Sequence, residues 1–339
     1  MKFSIIIPVF NAQDYLIECL DSVFNQDFNC NIEVIAVDDC STDSSYSLLE
    51  SYRKKDSRLN ILQNNINMGQ THTRVIGMNK ASGDYIMHLD ADDWFISNSI
   101  QYIYEKCHLH NPDILIFDYL TDKDGIKNIK YKINSEAFVI KNKFNIHKKY
   151  FFGNSATKVV KRNLIKSMIT GSEKIKTTGD DLLYCTEVFL RANSFLIIPK
   201  IFYGARLHDN SLTKKSSPKL MLQYIYNLFD PLIRILTQNN ANKIICDNLL
   251  KYVENGIYLT LLKCQMFTDE KIKFQKLYVN KLTDYPYVKS DFLRSLNLSF
   301  NSVSHLILKS KIKNGLKITI KTLLYGFYLN IIKDSKFRK

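Results

Sequence analysis

The sequence predicts an α/β fold: a Rossmann-like, mixed but mostly parallel sheet sheathed by helices and followed by a C-terminal helical appendage. Short apolar runs alternate with helical patterns through the first third of the chain, as in a parallel sheet covered by helices. Acidic clusters stand where two of those runs end, at Asp38 and at Asp90. After Pro218 the strand signals fade, and patterns rich in Leu, Ile, Tyr and Lys run to the C-terminus.

Phe3 to Pro8 reads as the first strand, and Leu16, Cys19, Leu20, Val23 and Phe24 then recur at helical spacing. Ile32 to Val37 is the second strand, followed by a helix carrying Leu48, Leu49 and Tyr52. Asn60 to Gln63, Tyr85 to Leu89 and Ile114 to Phe117 continue the series, with Ile100, Ile103 and Tyr104 marking another helix. In a doubly wound sheet of this kind, ligands sit beyond the carboxyl ends of the strands. From Asp118 to Ile140 the pattern is short and mixed, with Asp124-Gly125 marking a hairpin or a variable loop. Ala156 to Lys161 then reads as a strand, Gly179 to Ala192 as a helix, and Phe195 to Ile198 and Phe202 to Arg206 as two further strands. Ser211 to Pro218 marks the boundary, dividing the chain into 1–215 and a helical 216–339.

A chain of 339 residues has room for one substantial core and a second, smaller unit. With 45% hydrophobic and 24% charged residues it is neither disordered nor fibrous. The net charge of +14 implies an anionic partner: nucleic acid, a phosphorylated substrate or an acidic membrane surface. Seven scattered cysteines without a C-x-x-C pair read as reduced thiols of a cytosolic protein, with neither a disulfide framework nor a zinc site. The first apolar run is too short for a signal peptide, and none reaches the ~18 residues a membrane-spanning helix needs, so the expectation is that nothing crosses a bilayer.

The cluster Val37-Asp38-Asp39-Cys40-Ser41-Thr42-Asp43 admits two readings: a helix cap with solvated carboxylates, or contacts to the base and ribose of a nucleotide. Leu89-Asp90-Ala91-Asp92-Asp93-Trp94 crowds three carboxylates where an apolar strand emerges. They repel unless a cation or hydrogen-bond donors balance them. A divalent Mg²⁺ or Mn²⁺ shared with substrate phosphate oxygens would do so, although a helix start rich in Asp is the plainer alternative.

These residues resemble the inverting family 2 glycosyltransferases, which have the nucleotide-sugar-binding A-type fold. The resemblance rests on ordered motifs within the first 95 residues: Ser4 to Asn11, Val37 to Asp43, Asn67-Met68-Gly69 with Arg74, and Ala81 to Asp93. It implies that Pro8, Val9, Phe10 and Asn11 edge a nucleotide pocket, that Asn67 and Gly69 belong to it, and that Asp38 and Asp39 contact base and ribose. Asp90-Ala91-Asp92 matches the family's D-x-D, with Asp92 holding the metal and Asp90 supporting it or the ribose. Arg74 stands where the family has an Arg near the base or diphosphate, but Val75 follows where Asn is common, so a structural Arg capping neighbouring carboxylates is an equal alternative. His72 has no role in the family pattern.

Gly179-Asp180-Asp181-Leu182-Leu183 opens an amphipathic helix, where Asp180 could cap and Asp181 could favour the helix dipole. The family carries an acidic pair here whose second member deprotonates the acceptor. The resemblance therefore implies Asp181 as general base, with Asp180 as runner-up or acceptor contact. Downstream, Arg206 and His208 resemble the family's diphosphate segment, where Arg206 would neutralise the leaving group and His208 would be a third metal ligand, a phosphate contact or a solvated loop residue.

The expected function is inverting transfer of a sugar from a nucleotide diphosphate donor, of UDP type, to a glycan or lipid-linked acceptor in capsule, lipopolysaccharide or related surface glycan synthesis. Residues 1–117 would bind the donor and 118–215 the acceptor. A sugar nucleotidyltransferase should carry a Gly-rich basic phosphate loop after the first strand, and Pro8 to Ala12 is not one. A catalytically silent scaffold or glycan-binding subunit is the rival from another class. The Lys-rich apolar stretches beyond residue 300 read either as helices lying on an anionic membrane at its cytoplasmic face or as helices packed with a solvated Lys face. No nucleic-acid reader motif is present.

Overall fold

The computed structural model describes residues 1–129, 138–140, 154–165 and 180–208, together with the helical positions 231, 232, 234, 235 and 238. The chain divides into two compact units, Met1–Cys264 and Gln265–Lys339, and every described residue lies in the first. The expected boundary at 211–218 and the basic C-terminal stretches lie outside the described residues.

Ten strands among the described residues form one sheet: β1 (Lys2–Val9), β2 (Asn31–Asp38), β3 (Leu59–Gln63), β4 (Tyr85–His88), β5 (Trp94–Phe95), β6 (Ile114–Lys123), β7 (Ile126–Ile129), β8 (Phe138–Ile140), β9 (Lys158–Lys161) and β10 (Phe195–Arg206). The order across the sheet is β3-β2-β1-β4-β9-β6-β10-β5, with β7 on β6 and β8 on β10. β1 runs parallel to β2 and β4, and β2 runs parallel to β3, whereas β9 enters antiparallel between β4 and β6. The sheet is therefore mixed, and parallel throughout β3-β2-β1-β4, as the alternation of apolar runs and helical patterns predicts.

Among the described residues, the α-helices beside it are α1 (Leu16–Phe24), α2 (Ser45–Arg53), α3 (Gln70–Lys80), α4 (Ser99–His110) and α5 (Asp180–Arg191). The stripe Leu16, Cys19, Leu20, Val23 and Phe24 is buried, as its spacing requires. β1 is covered on both faces, so Phe3, Ile5, Ile6 and Ile7 are all sealed from solvent. Each such side chain contributes roughly 1.5–3 kcal/mol of burial. α4 is bounded by Asn98 and Asn111, both left-handed, a conformation Asn tolerates because its short amide can bond locally.

The Asp124-Gly125 turn has both residues at positive φ and closes a two-residue hairpin between β6 and β7. The two strands expected at Phe195 to Ile198 and Phe202 to Arg206 are one strand. Its register slips between Ile198 and Ile201 and again between Ile201 and Tyr203, and Pro199-Lys200 interrupts the apolar pattern there. The described cysteines, Cys19, Cys30, Cys40, Cys107 and Cys185, are not joined to one another in disulfides. No helix among the described residues is long and apolar enough to cross a membrane.

Parallel register places Val9 beside Asp38, Asp38 beside Gln63 and Ile6 beside His88, so the carboxyl ends of β1 to β4 open along one edge. α3 lies close over that end. A Cβ on Gly77 would come within 2.6 Å of the Ile6 side chain, so only glycine lets the helix approach this far.

Candidate active site

The acidic loop after β4 is fixed by β10. Buried Tyr203 donates its hydroxyl to Asp93 Oδ2 at 2.6 Å and accepts from the Asp90 backbone N–H at 3.2 Å. Asp93 Oδ1 also accepts the Arg206 backbone N–H at 2.7 Å. Burial, followed by the charges of Asp92 and Asp90, pushes the Asp93 carboxyl well up. Asp93 is thus a structural clamp between loop and strand. The sequence pattern did not single out Tyr203; the available signal was a tyrosine in an apolar strand, whose buried hydroxyl must find a partner.

With the loop clamped, Asp90 and Asp92 take different partners. Asp92 Oδ2 lies 2.9 Å from His208 Nε2. Asp90 Oδ1 instead accepts Gln70 Nε2 at 3.0 Å and Arg74 Nη2 at 2.6 Å. Burial raises the Asp90 carboxyl, Arg74 opposes that rise, and Asp92 and Asp181 add to it. Of the three metal candidates, the structure brings Asp92 and His208 together and turns Asp90 towards α3. Among the described residues no three His, Cys, Asp or Glu side chains form a complete metal-holding group. The Asp92–His208 pair nonetheless fits a divalent ion: a hard carboxylate oxygen and a borderline imidazole nitrogen stand side by side, as Mn²⁺ and Mg²⁺ sites use when phosphate oxygens and water complete the shell.

Arg206 runs alongside this pair. Its guanidinium lies 5.1 Å from the Tyr15 ring and 5.0 Å from the Trp94 ring, bonds Glu18 at 2.6 Å, and donates Nε–H to the Asp92 carbonyl at 3.1 Å. Tyr15 also packs on the His208 ring at 4.9 Å. Tyr15 was not among the sequence candidates. It projects from the residue before α1 and orders both downstream residues.

The nucleotide-side candidates share the edge formed by β1 and β2. Asp39 N–H donates to the Val9 carbonyl at 2.7 Å. Asp39 Oδ1 accepts Asn64 Nδ2 and Met68 N–H, and Oδ2 accepts Gly69 N–H, all at 2.8 Å. Asp38 is sealed and accepts from Ser41 N–H and Gln63 Nε2, each at 3.2 Å. Asn11 is left-handed, and its Oδ1 accepts Thr42 N–H at 2.8 Å. Pro8, Val9 and Ala91 are buried beneath the edge, while Phe10 and Asn67 face solvent. His72 is half-buried on α3.

Asp181 comes from the first turn of α5, which starts at Asp180, whose side chain lies outside the described residues. Its Oδ1 accepts Arg74 Nη1 at 3.1 Å, so Arg74 spans Asp90 and Asp181. Burial pushes the Asp181 carboxyl up, but Arg74, the Ser155 hydroxyl and Lys158 outweigh it and hold it below the ordinary range. The side chain keeps 38% exposure, enough for an incoming hydroxyl to reach it. Beneath, His88 meets Tyr184 edge-on at 5.0 Å. Burial first and the Arg74 charge second push His88 down to about 3, so it stays neutral.

The profile of glycosyl transferase family 2 matches residues 4–169. The chain is 26% identical over 231 residues to the glycosyltransferase GlyA of Streptococcus pneumoniae, covering 65% of this chain and 32% of that protein. It is 28% identical over 210 residues to poly(ribitol-phosphate) β-N-acetylglucosaminyltransferase TarS of Staphylococcus aureus, covering 60% and 35%. The chain thus spans about a third of the length of these two relatives. A glycosyltransferase of Haemophilus influenzae is 32% identical over 231 residues, covering 59% of this chain and 92% of that protein. The crystal structure of S. aureus TarS 1–349 with UDP-GlcNAc superposes with a TM-score of 0.70 at 22% identity, covering 88% of this chain and 89% of that one. With the mixed sheet, its acidic strand ends and these matches together, the chain belongs to glycosyl transferase family 2.

Proposed function

We propose that the protein transfers a sugar from a UDP-sugar to a hydroxyl of a surface-glycan or lipid-linked acceptor, with inversion at the anomeric carbon and Asp181 as general base. The observation that carries this reading is the partly exposed Asp181 carboxylate, tied through Arg74 to Asp90 at the end of β4. It supports the reading because a base at Asp181 would stand across a single guanidinium from the loop that matches the family's donor-binding motif. The acceptor oxygen gives its proton to Asp181 as it bonds to the anomeric carbon. The bond from that carbon to the phosphate oxygen breaks, and the nucleoside diphosphate leaves with the electron pair. A positioned base of this kind contributes typically ~10²–10⁴-fold in rate.

Asp92 and His208 would hold the Mn²⁺ or Mg²⁺ ion, with Asp90 supporting the loop. When bound, the ion supplies Lewis-acid neutralisation of the diphosphate charge. Arg206, steadied by Tyr15, Trp94 and Glu18, adds a fixed cation to the same side. Phe10, Asn11, Asn67 and Gly69 would line the base and ribose end, with Phe10 exposed at the rim for stacking, and Pro8, Val9, Asp38 and Asp39 would support that edge from beneath. Asp180 would serve as the alternative base or as an acceptor contact.

Two observations support the choice of substrates. The structural neighbour TarS binds UDP-GlcNAc and UDP. The net charge of +14 suits an acidic polymer or an anionic membrane beside the acceptor. The C-terminal residues 216–339 would supply the contact to that membrane's cytoplasmic face. A screen of nucleotide sugars by mass spectrometry, with Mn²⁺ present and then chelated, tests the reading. Metal-dependent release of UDP from one donor is expected. Absence of turnover with every donor, with and without polymer acceptor, would favour the silent scaffold.

A further inference from the structure

Arg74 touches both the loop after β4 and the start of α5. It rides on α3, which Gly77 lets settle onto β1, and its side chain is only 8% exposed. One arm of the guanidinium reaches Asp90 at 2.6 Å and the other reaches Asp181 at 3.1 Å. Two carboxylates on one guanidinium are held apart from each other and close to a common charge. A planar fork can do this, whereas the point charge of lysine serves one partner at a time.

We propose that Arg74 is a positioning residue: by bridging Asp90 and Asp181 it fixes the base at a set place relative to the donor loop, so that the two halves of the cleft move as one unit. The proposal rests on the assignment of Asp181 as base. The groups facing the Asp181 carboxylate are Arg74 from α3, His88 from β4, Asp90 from the loop after it, Ser155 and Lys158 from the 3-10 turn and β9, and Tyr184 and Cys185 from α5 itself. His88 is neutral, and Lys158 directs its ammonium at the Asn154 carbonyl at 3.0 Å. Arg74 is therefore the dominant cation at Asp181, and what it does to position it also does to charge. With the bridge in place, the carboxylate form is favoured. Without it, only Ser155 and Lys158 remain against burial and Asp90, and the proton is held to higher pH.

The test uses the full chain with ¹³C-labelled aspartate, titrated by NMR in wild type, Arg74→Lys and Arg74→Gln, with Asp181→Asn serving to assign the resonance. An opposite charge at this range is worth roughly one to three pH units. The Asp181 midpoint should therefore rise by about a unit or more in Arg74→Gln and by less in Arg74→Lys. Wild-type midpoints in folded variants, as judged by circular dichroism, overturn the proposal. If Arg74→Gln fails to fold, Arg74→Lys carries the test with the same two outcomes. UDP release from UDP-GlcNAc and Mn²⁺ by Asp181→Asn separates this proposal from the reading beneath it. Release at the wild-type rate sinks the base assignment and with it the positioning of a base, whereas release lost relative to wild type with unmoved midpoints sinks the bridge alone.

Discussion

Replacing Asp39 by Asn should loosen the start of α3 and, through it, the Arg74 bridge. Asp39 is almost fully buried, and its two oxygens accept three bonds of 2.8 Å. If the amide keeps its oxygen at the Oδ1 position, it can still accept Asn64 and Met68. Its NH₂ then faces the Gly69 N–H, donor against donor. One charge-assisted bond is lost, a buried backbone donor is left unmatched, and the two surviving bonds lose the charge on their acceptor. A loss of about 2–3 kcal/mol follows. For a domain of this size that lowers the melting temperature by about 4–12 °C. The assay is thermal unfolding followed by circular dichroism, alongside donor affinity measured well below the transition. α3 begins at Gln70, directly after Gly69, and Arg74 is one turn in, so affinity should fall even where the variant is fully folded. An unchanged melting temperature would refute the assignment of Asp39 as the anchor of this loop.

Gly204→Ala drives a methyl into the Trp94 indole, which must move and carry the stacked Arg206 with it. Overpacking of this kind costs about 1–3 kcal/mol. Trp94 is the chain's single tryptophan, so a shift in intrinsic emission reports the movement directly, and an unshifted spectrum would contradict it. Tyr203→Phe removes the hydroxyl between Asp93 and the Asp90 backbone, with an expected loss of about 1–3 kcal/mol measurable by chemical denaturation. Glu33 would be pushed up by burial, but Lys2, Ser4 and Ser82 outweigh that and bring it from 4.5 to about 2. A depressed carboxylate contributes stability that is present above its unfolded value and is lost as pH falls through the folded one. Wild type should therefore lose stability between about pH 4.5 and 2, and Glu33→Gln should lose less over that window; equal acid profiles would count against the Glu33 cluster.

The N-terminal part of the fold, through β4, was legible because its strands are continuous apolar runs and its helices carry clean stripes. Phe3 to Pro8 and Ile32 to Val37 each fall within a strand only a residue or so longer at either end. The two-residue β5 left no pattern to find, and β10 was split because Pro199-Lys200 looks like a break when bulging and cross-sheet partners cannot be seen. In the site, motif order picked out Asp90, Asp92, Asp181 and His208. It could not say that Asp92 would meet His208 while Asp90 turned to Gln70 and Arg74. That division depends on Tyr203 and Asp93 orienting the loop, two residues joined only by the folding of β10 beside β5. Arg74 illustrates the same limit. Its charge suited a phosphate or a carboxylate equally well, and only the approach of α5 supplies Asp181 as its second partner.

The central claim is that the Asp181 carboxylate removes the acceptor's proton. Wild type and Asp181→Asn, compared with whichever nucleotide sugar the donor screen identifies, test it most directly through single-turnover transfer beside equilibrium donor binding. Retained donor affinity with a transfer rate lower by ~10²-fold or more is predicted. Transfer by Asp181→Asn at the wild-type rate would contradict the account.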